Sequence, residues 1–207
     1  NNGLQTNKTT ALLLDNKYVW IGTEGRGLCL LNKKTGHITH YKSDPNTPLS
    51  ISDNNILTMT KGFNNKALIG TNNGLNVATI HDDKLTFTTV KNHNKNLDNR
   101  FNVVSAIFQA SENEVWFGSQ GNGLFRINIE NGDTIINHYE NNDYDRTSIP
   151  SNIINSILSD RTGSIWIGTQ DGISHFDPIK LGFQHYTYKY GDENSLNEKN
   201  VWSIYEG

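Results

Sequence analysis

The sequence lacks the features that define several large classes of protein. It has one cysteine in 207 residues, which excludes an internal disulfide framework. No apolar run is long enough to span a membrane as a helix. The 18 lysine and arginine residues, against 21 aspartate and glutamate residues, give a net charge of −3 and form no basic stripe. We therefore expect no nucleic-acid partner, and contact with a membrane only through segments outside this sequence.

The sequence patterns of common catalytic and cofactor sites are also missing. There is no GxSxG, HExxH, P-loop or dinucleotide-binding fingerprint. Asp143, Asp145, Asp192 and Glu193 occur in polar loops, and we interpret them as solvated charges rather than as a catalytic carboxylate pair. The sequence thus predicts no catalytic residue, no metal site and no cofactor, and this chain is not expected to be an enzyme. It begins without Met, which indicates a processed or excised piece.

What the sequence does contain is a repeated strand–turn–strand motif. Residues 165–173, IWIGTQDGI, are its clearest copy, and further copies lie at 19–28, 67–75 and 115–124. The first glycine of each copy falls at position 22, 70, 118 or 168, so the spacings are 48, 48 and 50 residues. A fixed period of roughly 40–50 residues is typical of propellers and solenoids.

Each repeat predicts four short antiparallel strands. Before the motif comes a strand that starts with asparagine and spaced aliphatic residues, as in 152–158, and after it comes a strand that ends in an aromatic residue, as in 183–186. The glycine of the closing Gly-Leu or Gly-Ile pair in each motif supplies the positive φ that a tight hairpin turn requires. Four strands per repeat of this length define the blade of an all-β protein, a β-propeller.

The repeats place four blades at approximately 1–48, 49–97, 98–146 and 147–193, and residues 194–207 begin a fifth. In that last stretch Val201 and Ile204 occupy the places of Ile154 and Ile157. A closed ring of four blades would leave this strand over, so we favour part of a larger ring. A lone inner strand is a template for association, which predicts contact with the remaining blades or with a second copy of the chain.

By its residues the repeat resembles the propeller repeat of two-component regulators. The resemblance is carried by DRTGSIWIGTQDGISHFDP at 160–178 and by PLSISDNNI at 48–56. It implies the periplasmic sensor region of a hybrid two-component sensor kinase, with a seven-bladed ring and a homodimeric parent protein. It also implies an oligosaccharide ligand and control of glycan-utilisation genes. The kinase domain itself would lie outside this chain.

The repeat separates structural positions from variable ones. Trp20, Trp116 and Trp166 recur at one place, which favours core packing. The histidines that recur before an aromatic residue belong to outer strands of different blades, so we expect no shared metal centre; they are His40, His138 and His185. Cys29 falls at an alternating strand position and is interpreted as a buried, inert thiol. The second blade departs from the pattern, with Leu68 in place of the tryptophan.

The variable positions cluster in the hairpin turns, which in a propeller share a face with the inter-blade loops and the starts of the inner strands. Amides with a few charges can hydrogen-bond sugar hydroxyls and supply no nucleophile. For single residues the alternative is that such turns simply need asparagine and glycine. Asn7, Asn54, Asn102 and Asn152 are expected near the same face. The predicted ligand-binding residues are Glu24, Arg26, Asn72, Asn73, Gln120, Asn122, Gln170 and Asp171.

Two other functions remain open from the sequence. One is a propeller-fold glycan hydrolase or lyase, which needs converging carboxylates or a Tyr–His pair at the propeller centre, and the repeat does not show such a group. The other is a non-catalytic scaffold for protein interaction or dimerisation. A ligand-sensing module is favoured over both.

Overall fold

The computed structural model describes residues 3–64, 66–91, 101–130, 133–177 and 182–206. Within these ranges the chain forms sixteen β-strands and no helix. The strands pair in sequence order into four separate antiparallel sheets of four strands each, which confirms the expected all-β blades. None of the described residues belongs to a helix with the length and apolar character that a membrane crossing needs.

The four sheets follow one another along the chain. The first contains β1 (Thr9–Leu14), β2 (Tyr18–Thr23), β3 (Leu28–Asn32) and β4 (Ile38–Tyr41). The second contains β5 (Ile56–Lys61), β6 (Lys66–Thr71), β7 (Gly74–His81) and β8 (Lys84–Thr89). The third contains β9 (Val104–Ser111), β10 (Glu114–Ser119), β11 (Leu124–Glu130) and β12 (Asp133–Tyr139). The fourth contains β13 (Ile154–Ser159), β14 (Ile165–Thr169), β15 (Gly172–Asp177) and β16 (Gly182–Tyr186).

The chain divides into two compact units, Asn1–Val104 and Ser105–Gly207. In the first unit, Trp20 and Leu30 of the first sheet share a core with Ala67 and Phe87 of the second, and Trp20 is only 2% exposed. Alternation along a strand sends every second side chain to this face, so one sheet closes the apolar face of the sheet before it.

The second unit repeats this packing with larger rings. Trp116 is fully buried, and its ring centroid lies 5.1 Å from that of Phe176 in the next sheet and 5.9 Å from that of Tyr139. Ile154 and Ile165 complete the same core. Trp20 and Trp116 thus confirm the predicted packing role of the recurring tryptophan.

Trp166 departs from that expectation, because its side chain is only half-buried. Its ring stacks on its own sheet, 4.3 Å from His175 and 5.9 Å from Tyr186 between centroids. Each buried tryptophan is covered by the sheet that follows it in its own unit, and no described sheet follows the fourth within the second unit. The predicted core-packing role is therefore met only in part by Trp166.

The first glycine of the motif meets the inner strand of the next repeat. A Cβ at Gly22 would lie 2.6 Å from Cγ2 of Ile56, and a Cβ at Gly118 would collide with the side chain of Ile154. Only a residue without a side chain lets the strands approach so closely. The glycine is thus required for the contact between successive sheets.

Residues 200–206 lie against the fourth sheet at the corresponding place. The Val201 N–H donates to the Thr169 carbonyl oxygen at 2.9 Å, and Asn155 Nδ2 donates to the Val201 carbonyl oxygen at 3.0 Å. A Cβ at Gly168 would lie 3.1 Å from Cγ1 of Val201. Val201 therefore takes the place of Ile154, as predicted, although residues 201–206 form no strand because none of the described strands pairs with them.

Candidate functional site

The candidate site is the turn face, which we define as the hairpin turns β2–β3, β6–β7, β10–β11 and β14–β15. The Thr23 hydroxyl donates to the Gly27 carbonyl oxygen at 2.7 Å, and the Ser119 hydroxyl donates to the Gly123 carbonyl oxygen at 3.1 Å. Gly27 and Gly123 have φ angles of 78° and 75°, so the expected left-handed conformation is confirmed. The buried hydroxyl fixes each turn, and the residues between its two ends project outward.

All eight predicted ligand-binding residues fall on the turn face, and seven of them are exposed. The eighth, Asn122, is half-buried, and its carbonyl oxygen lies 2.7 Å from His138 Nε2. The exposed residues are Glu24, Arg26, Asn72, Asn73, Gln120, Gln170 and Asp171.

In the first unit, the structure brings the turns of the first two sheets together. The Gly27 N–H donates to the Asn54 carbonyl oxygen at 2.9 Å, and the Asn72 N–H donates to the Asn55 carbonyl oxygen at 3.3 Å. Two adjacent residues at the start of the second inner strand therefore hold both turns. Arg26 and Asn72 project from neighbouring turns of one surface.

The second unit contains the same arrangement. The N–H groups of Gly121 and Gly123 both donate to the Asn152 carbonyl oxygen, at 3.0 and 2.9 Å, and the Gln170 N–H donates to the Ile153 carbonyl oxygen at 3.1 Å. The turns of the third and fourth sheets are thus joined through the start of β13.

The asparagines at these junctions are occupied by structural bonds. Asn54 Oδ1 accepts from the Ser43 N–H at 3.0 Å, and Asn152 Oδ1 accepts from the Asn141 N–H at 2.7 Å. Each asparagine therefore joins a turn, an inner strand and an inter-blade loop. Their predicted position near the turn face is correct, but for both residues the structural interpretation of the side-chain oxygen applies.

Some polar side chains on the turn face already form hydrogen bonds or ion pairs with the protein, and others do not do so among the described residues. Glu24 pairs with Lys8 at 3.2 Å, Gln120 Nε2 reaches the Ile154 carbonyl oxygen at 3.5 Å, and Asn73 Nδ2 reaches the Ser52 carbonyl oxygen at 3.4 Å. Four other side chains make no polar contact with any described residue: Arg26, Asn72, Gln170 and Asp171. These four can bind a ligand without breaking an existing bond.

The recurring histidines occupy one register position on the outer strand of three sheets. Cys29 Sγ lies 3.2 Å from His40 Nδ1, and Ser174 Oγ lies 3.1 Å from His185 Nδ1. Such pairs resemble nucleophile–base pairs, but Cys29 and Ser174 are fully buried, and burial raises the pKa of the Cys29 thiol. These pairs pack the sheets, and the expectation of a buried thiol is confirmed. No group of metal-binding side chains occurs among the described residues.

Residues 148–171 match the family model of the two-component regulator propeller. This stretch contains the inner strand of the fourth sheet and all but the last two residues of the clearest copy of the repeat, 165–173. The same four-stranded unit occurs four times along the described chain. Residues 148–171 are therefore similar to the two-component regulator propeller repeat, and the chain contains four copies of the same four-stranded unit among its described residues.

Three known proteins show how far the likeness extends. A histidine kinase of Formosa agariphila is 25% identical over 195 residues, which cover 91% of this chain and 14% of that protein. The chain thus spans about a seventh of the length of that relative. The extracellular domain assigned to a hybrid two-component system of B. thetaiotaomicron has a TM-score of 0.74 at 18% identity, over 99% of this chain and 31% of that chain.

A virginiamycin B lyase from Staphylococcus aureus has a TM-score of 0.60 at 16% identity, over 89% of this chain and 57% of that chain. At such identities the two solved structures establish the fold. The four-stranded sheets are therefore blades of the β-propeller class.

Sequence analysis missed a hydrogen bond between the recurring tryptophan and an acidic residue, which also occurs within residues 148–171. Trp166 Nε1 donates to Asp160 Oδ2 at 2.7 Å, and Trp20 Nε1 donates to Asp15 Oδ2 at 2.6 Å. In the third repeat Glu114 Oε1 accepts from the Trp116 indole at 2.6 Å. An acidic residue shortly before each tryptophan was the available signal. The Asp160 turn of the regulator propeller repeat is thus a structural support for the indole.

Proposed function

We propose that this chain is the ligand-sensing propeller of a two-component sensor histidine kinase and that it lies outside the cytoplasm, in the periplasm. The similarity to a histidine kinase over 91% of the chain supports the sensor assignment. The fold shared with extracellular domains of hybrid two-component systems supports the location. The kinase domain belongs to the parent protein, whose output is the regulation of glycan-utilisation genes.

The ligand proposed for the turn face is an oligosaccharide. The observation that carries this proposal is the pairing of adjacent turns in each unit. It leaves Arg26 and Asn72 in the first unit, and Gln170 and Asp171 in the second, without a side-chain polar partner among the described residues. Amide groups donate and accept hydrogen bonds at once, as sugar hydroxyls do. Arg26 and Asp171 add one charge of each sign.

Two protein partners complete the proposal. The first is the rest of a larger, seven-bladed ring, which would cover the half-buried Trp166 face and pair with residues 200–206. The second is another copy of the parent protein, because a dimeric sensor can transmit ligand binding as a change between two subunits.

Calorimetry with a panel of neutral and acidic oligosaccharides tests the proposal on this chain and on the full-length sensor region. We expect saturable binding in the micromolar-to-millimolar range, with no change in the glycan. The double variant Arg26→Ala/Asn72→Ala should weaken binding by about tenfold, which corresponds to about 1.4 kcal/mol.

The control is Lys34→Ala/Asn113→Ala, which also removes one cationic and one amide side chain, but from exposed turns outside the turn face. Equal loss of affinity in both double variants would contradict the turn-face site. Release of shortened or unsaturated sugars would instead favour the glycan hydrolase or lyase alternative. The similarity to virginiamycin B lyase concerns the fold alone. Self-association without glycan binding would favour the scaffold.

A further inference from the structure

A cavity of about 270 Å³ opens between the first two sheets of the first unit. Its apolar wall includes Tyr18, Trp20 and Ile80, and its rim includes Lys61, Lys66 and Asp83. We call it the lysine cavity. It lies among the β1–β2, β5–β6 and β7–β8 turns, which in antiparallel sheets are at the opposite strand ends from the turn face. This site is separate from the turn face and independent of the proposed oligosaccharide site.

The second repeat lacks the indole–carboxylate hydrogen bond that the other three repeats form near the turn between their first two strands. Where a tryptophan is present, an acidic residue on or beside that turn bonds its indole, as Asp15 does for Trp20. The second repeat has Leu68 at this place and no acidic residue between Lys61 and Lys66. Leucine has no donor to satisfy, so this turn can carry other chemistry.

Two lysines that line the cavity, Lys61 and Lys66, have no acidic partner in the part of the chain that the structure describes. Asp15 already accepts from the N–H groups of Lys17 and Tyr18 and from the Trp20 indole. Asp83 accepts from the Lys17 ammonium at 2.5 Å and from the Tyr18 hydroxyl at 2.8 Å. Among the described residues, no carboxylate forms an ion pair with Lys61 or Lys66.

The acidic side of the rim is held in place across the gap between the sheets. Asp82 and Asp83 form the two-residue β7–β8 turn with φ angles of 46° and 63°, in the left-handed region where glycine or asparagine is the commoner choice. The Tyr18 hydroxyl and the Lys17 ammonium, both from the first sheet, bind Asp83. The cavity is therefore already formed without a ligand.

We propose that the lysine cavity binds a small organic anion, a carboxylate carried on an apolar body. The apolar body would cover the wall near Tyr18 and Ile80, and the carboxylate would neutralise Lys61 and Lys66. Ammonium–carboxylate hydrogen bonds are stronger than neutral ones, and the apolar wall adds burial that a bare anion cannot provide. The cavity volume of about 270 Å³ lies just below the usual range of small-molecule sites, roughly 300–1,000 Å³, so it suits a small ligand such as one ring with a short acidic arm.

Titration with phenylacetate, its neutral amide phenylacetamide, and inorganic phosphate tests the proposal. We expect phenylacetate to bind with a Kd of about 1 mM or below, and the amide and phosphate to bind at least about tenfold more weakly. In nitrogen-15 spectra the indole N–H signal of Trp20 should shift on binding, while those of Trp116 and Trp166 should not.

The double variant Lys61→Gln/Lys66→Gln should lose about tenfold in affinity for phenylacetate. The matched control Lys42→Gln/Lys91→Gln removes two exposed lysines elsewhere in the same unit and should bind as the parent does. All four positions are exposed, so unchanged melting temperatures are expected for both variants. The proposal is overturned if phenylacetate does not saturate, if the amide or phosphate binds as well, or if the two double variants behave alike.

Discussion

The third and fourth sheets place the same tryptophan in different surroundings. Trp116 is fully buried, stacks near Tyr139 and Phe176, and has the Arg126 guanidinium 5.4 Å from its ring centroid. Trp166 is half-buried and packs mainly on its own sheet. The motif therefore supplies the ring, but the neighbouring sheet supplies its burial. The stabilisation from one repeat depends on the repeat that follows it.

The largest expected effect is the difference between the two tryptophans. Trp116→Ala should cost about 3–5 kcal/mol of unfolding free energy, because it leaves a cavity in a closed core. Trp166→Ala should cost about 1–2 kcal/mol, because solvent already reaches part of its ring. Urea melts of the two variants measure both values. Equal losses would show that a covering sheet contributes nothing to the burial of this position.

The next largest difference is expected between Gly118 and Gly168, in the stability that each loses on substitution by alanine. Gly118→Ala forces a methyl group into Ile154, which is fully buried, and should cost about 1–3 kcal/mol. Gly168→Ala meets the Ser156 hydroxyl and Val201, which belongs to a segment without strand pairing, so we expect a cost below about 1 kcal/mol. Thermal melts of both variants give the ranking. A costlier Gly168→Ala would mean that residues 200–206 are held as firmly as a central strand.

The sequence predicted the fold well because its signals are local and repeated. The glycine at each hairpin, the alternation of apolar residues and the fixed period do not depend on neighbours, and the structure shows four sheets where four repeats were expected. The burial of Trp166 could not be read in this way, since it is decided by a surface outside its own repeat.

The sequence predicted where the residues of the candidate site lie, but not which hydrogen bonds their side chains form. Exposure of the turns followed from their length and polarity. The occupation of the Asn54 and Asn152 side chains could not be foreseen, because each depends on a loop residue 11 positions away in sequence. The indole–carboxylate contacts were missed because the acidic residue lies five, six and two positions before Trp20, Trp166 and Trp116, so no single spacing marks it.

A smaller effect is expected in the fourth sheet, where the stability contributed by Asp160 should depend on pH in the acid range. Hydrogen bonds from the Thr162 hydroxyl and the Trp166 indole lower the pKa of Asp160 from 3.8 to about 2. Since the folded pKa lies below the unfolded one, the stabilisation is fully present above about pH 4 and is lost as the pH falls towards 2. Asp160→Asn should therefore lower the melting temperature at neutral pH and flatten its dependence on pH below about 4. The exposed loop variant Asp143→Asn should retain the slope of the parent, and the same slope in Asp160→Asn would contradict the assignment.

The smallest effects are expected on the turn face, where the two sheets do not differ. Gln120 and Gln170 are both exposed, and the side-chain hydrogen bond from Gln120 Nε2 to the Ile154 carbonyl oxygen is long, at 3.5 Å. Gln120→Ala and Gln170→Ala should each change the unfolding free energy by no more than about 0.5 kcal/mol. Denaturant melts of both variants provide the measurement. A loss near that of Gly118→Ala would show that the turn residues serve the fold rather than a ligand.

The bonds at Asn152 make the separation of two sheets observable. The N–H groups of Gly121 and Gly123 belong to the third repeat, and the carbonyl oxygen that accepts from both belongs to the loop that leads into the fourth. A fluctuation within one sheet leaves those two hydrogen bonds intact, whereas separation of the third and fourth sheets breaks both of them. Their deuterium exchange rates therefore report the opening of the junction between the third and fourth sheets. A ligand that bridges the two turns would slow that exchange, and a ligand held by a single turn would leave it unchanged.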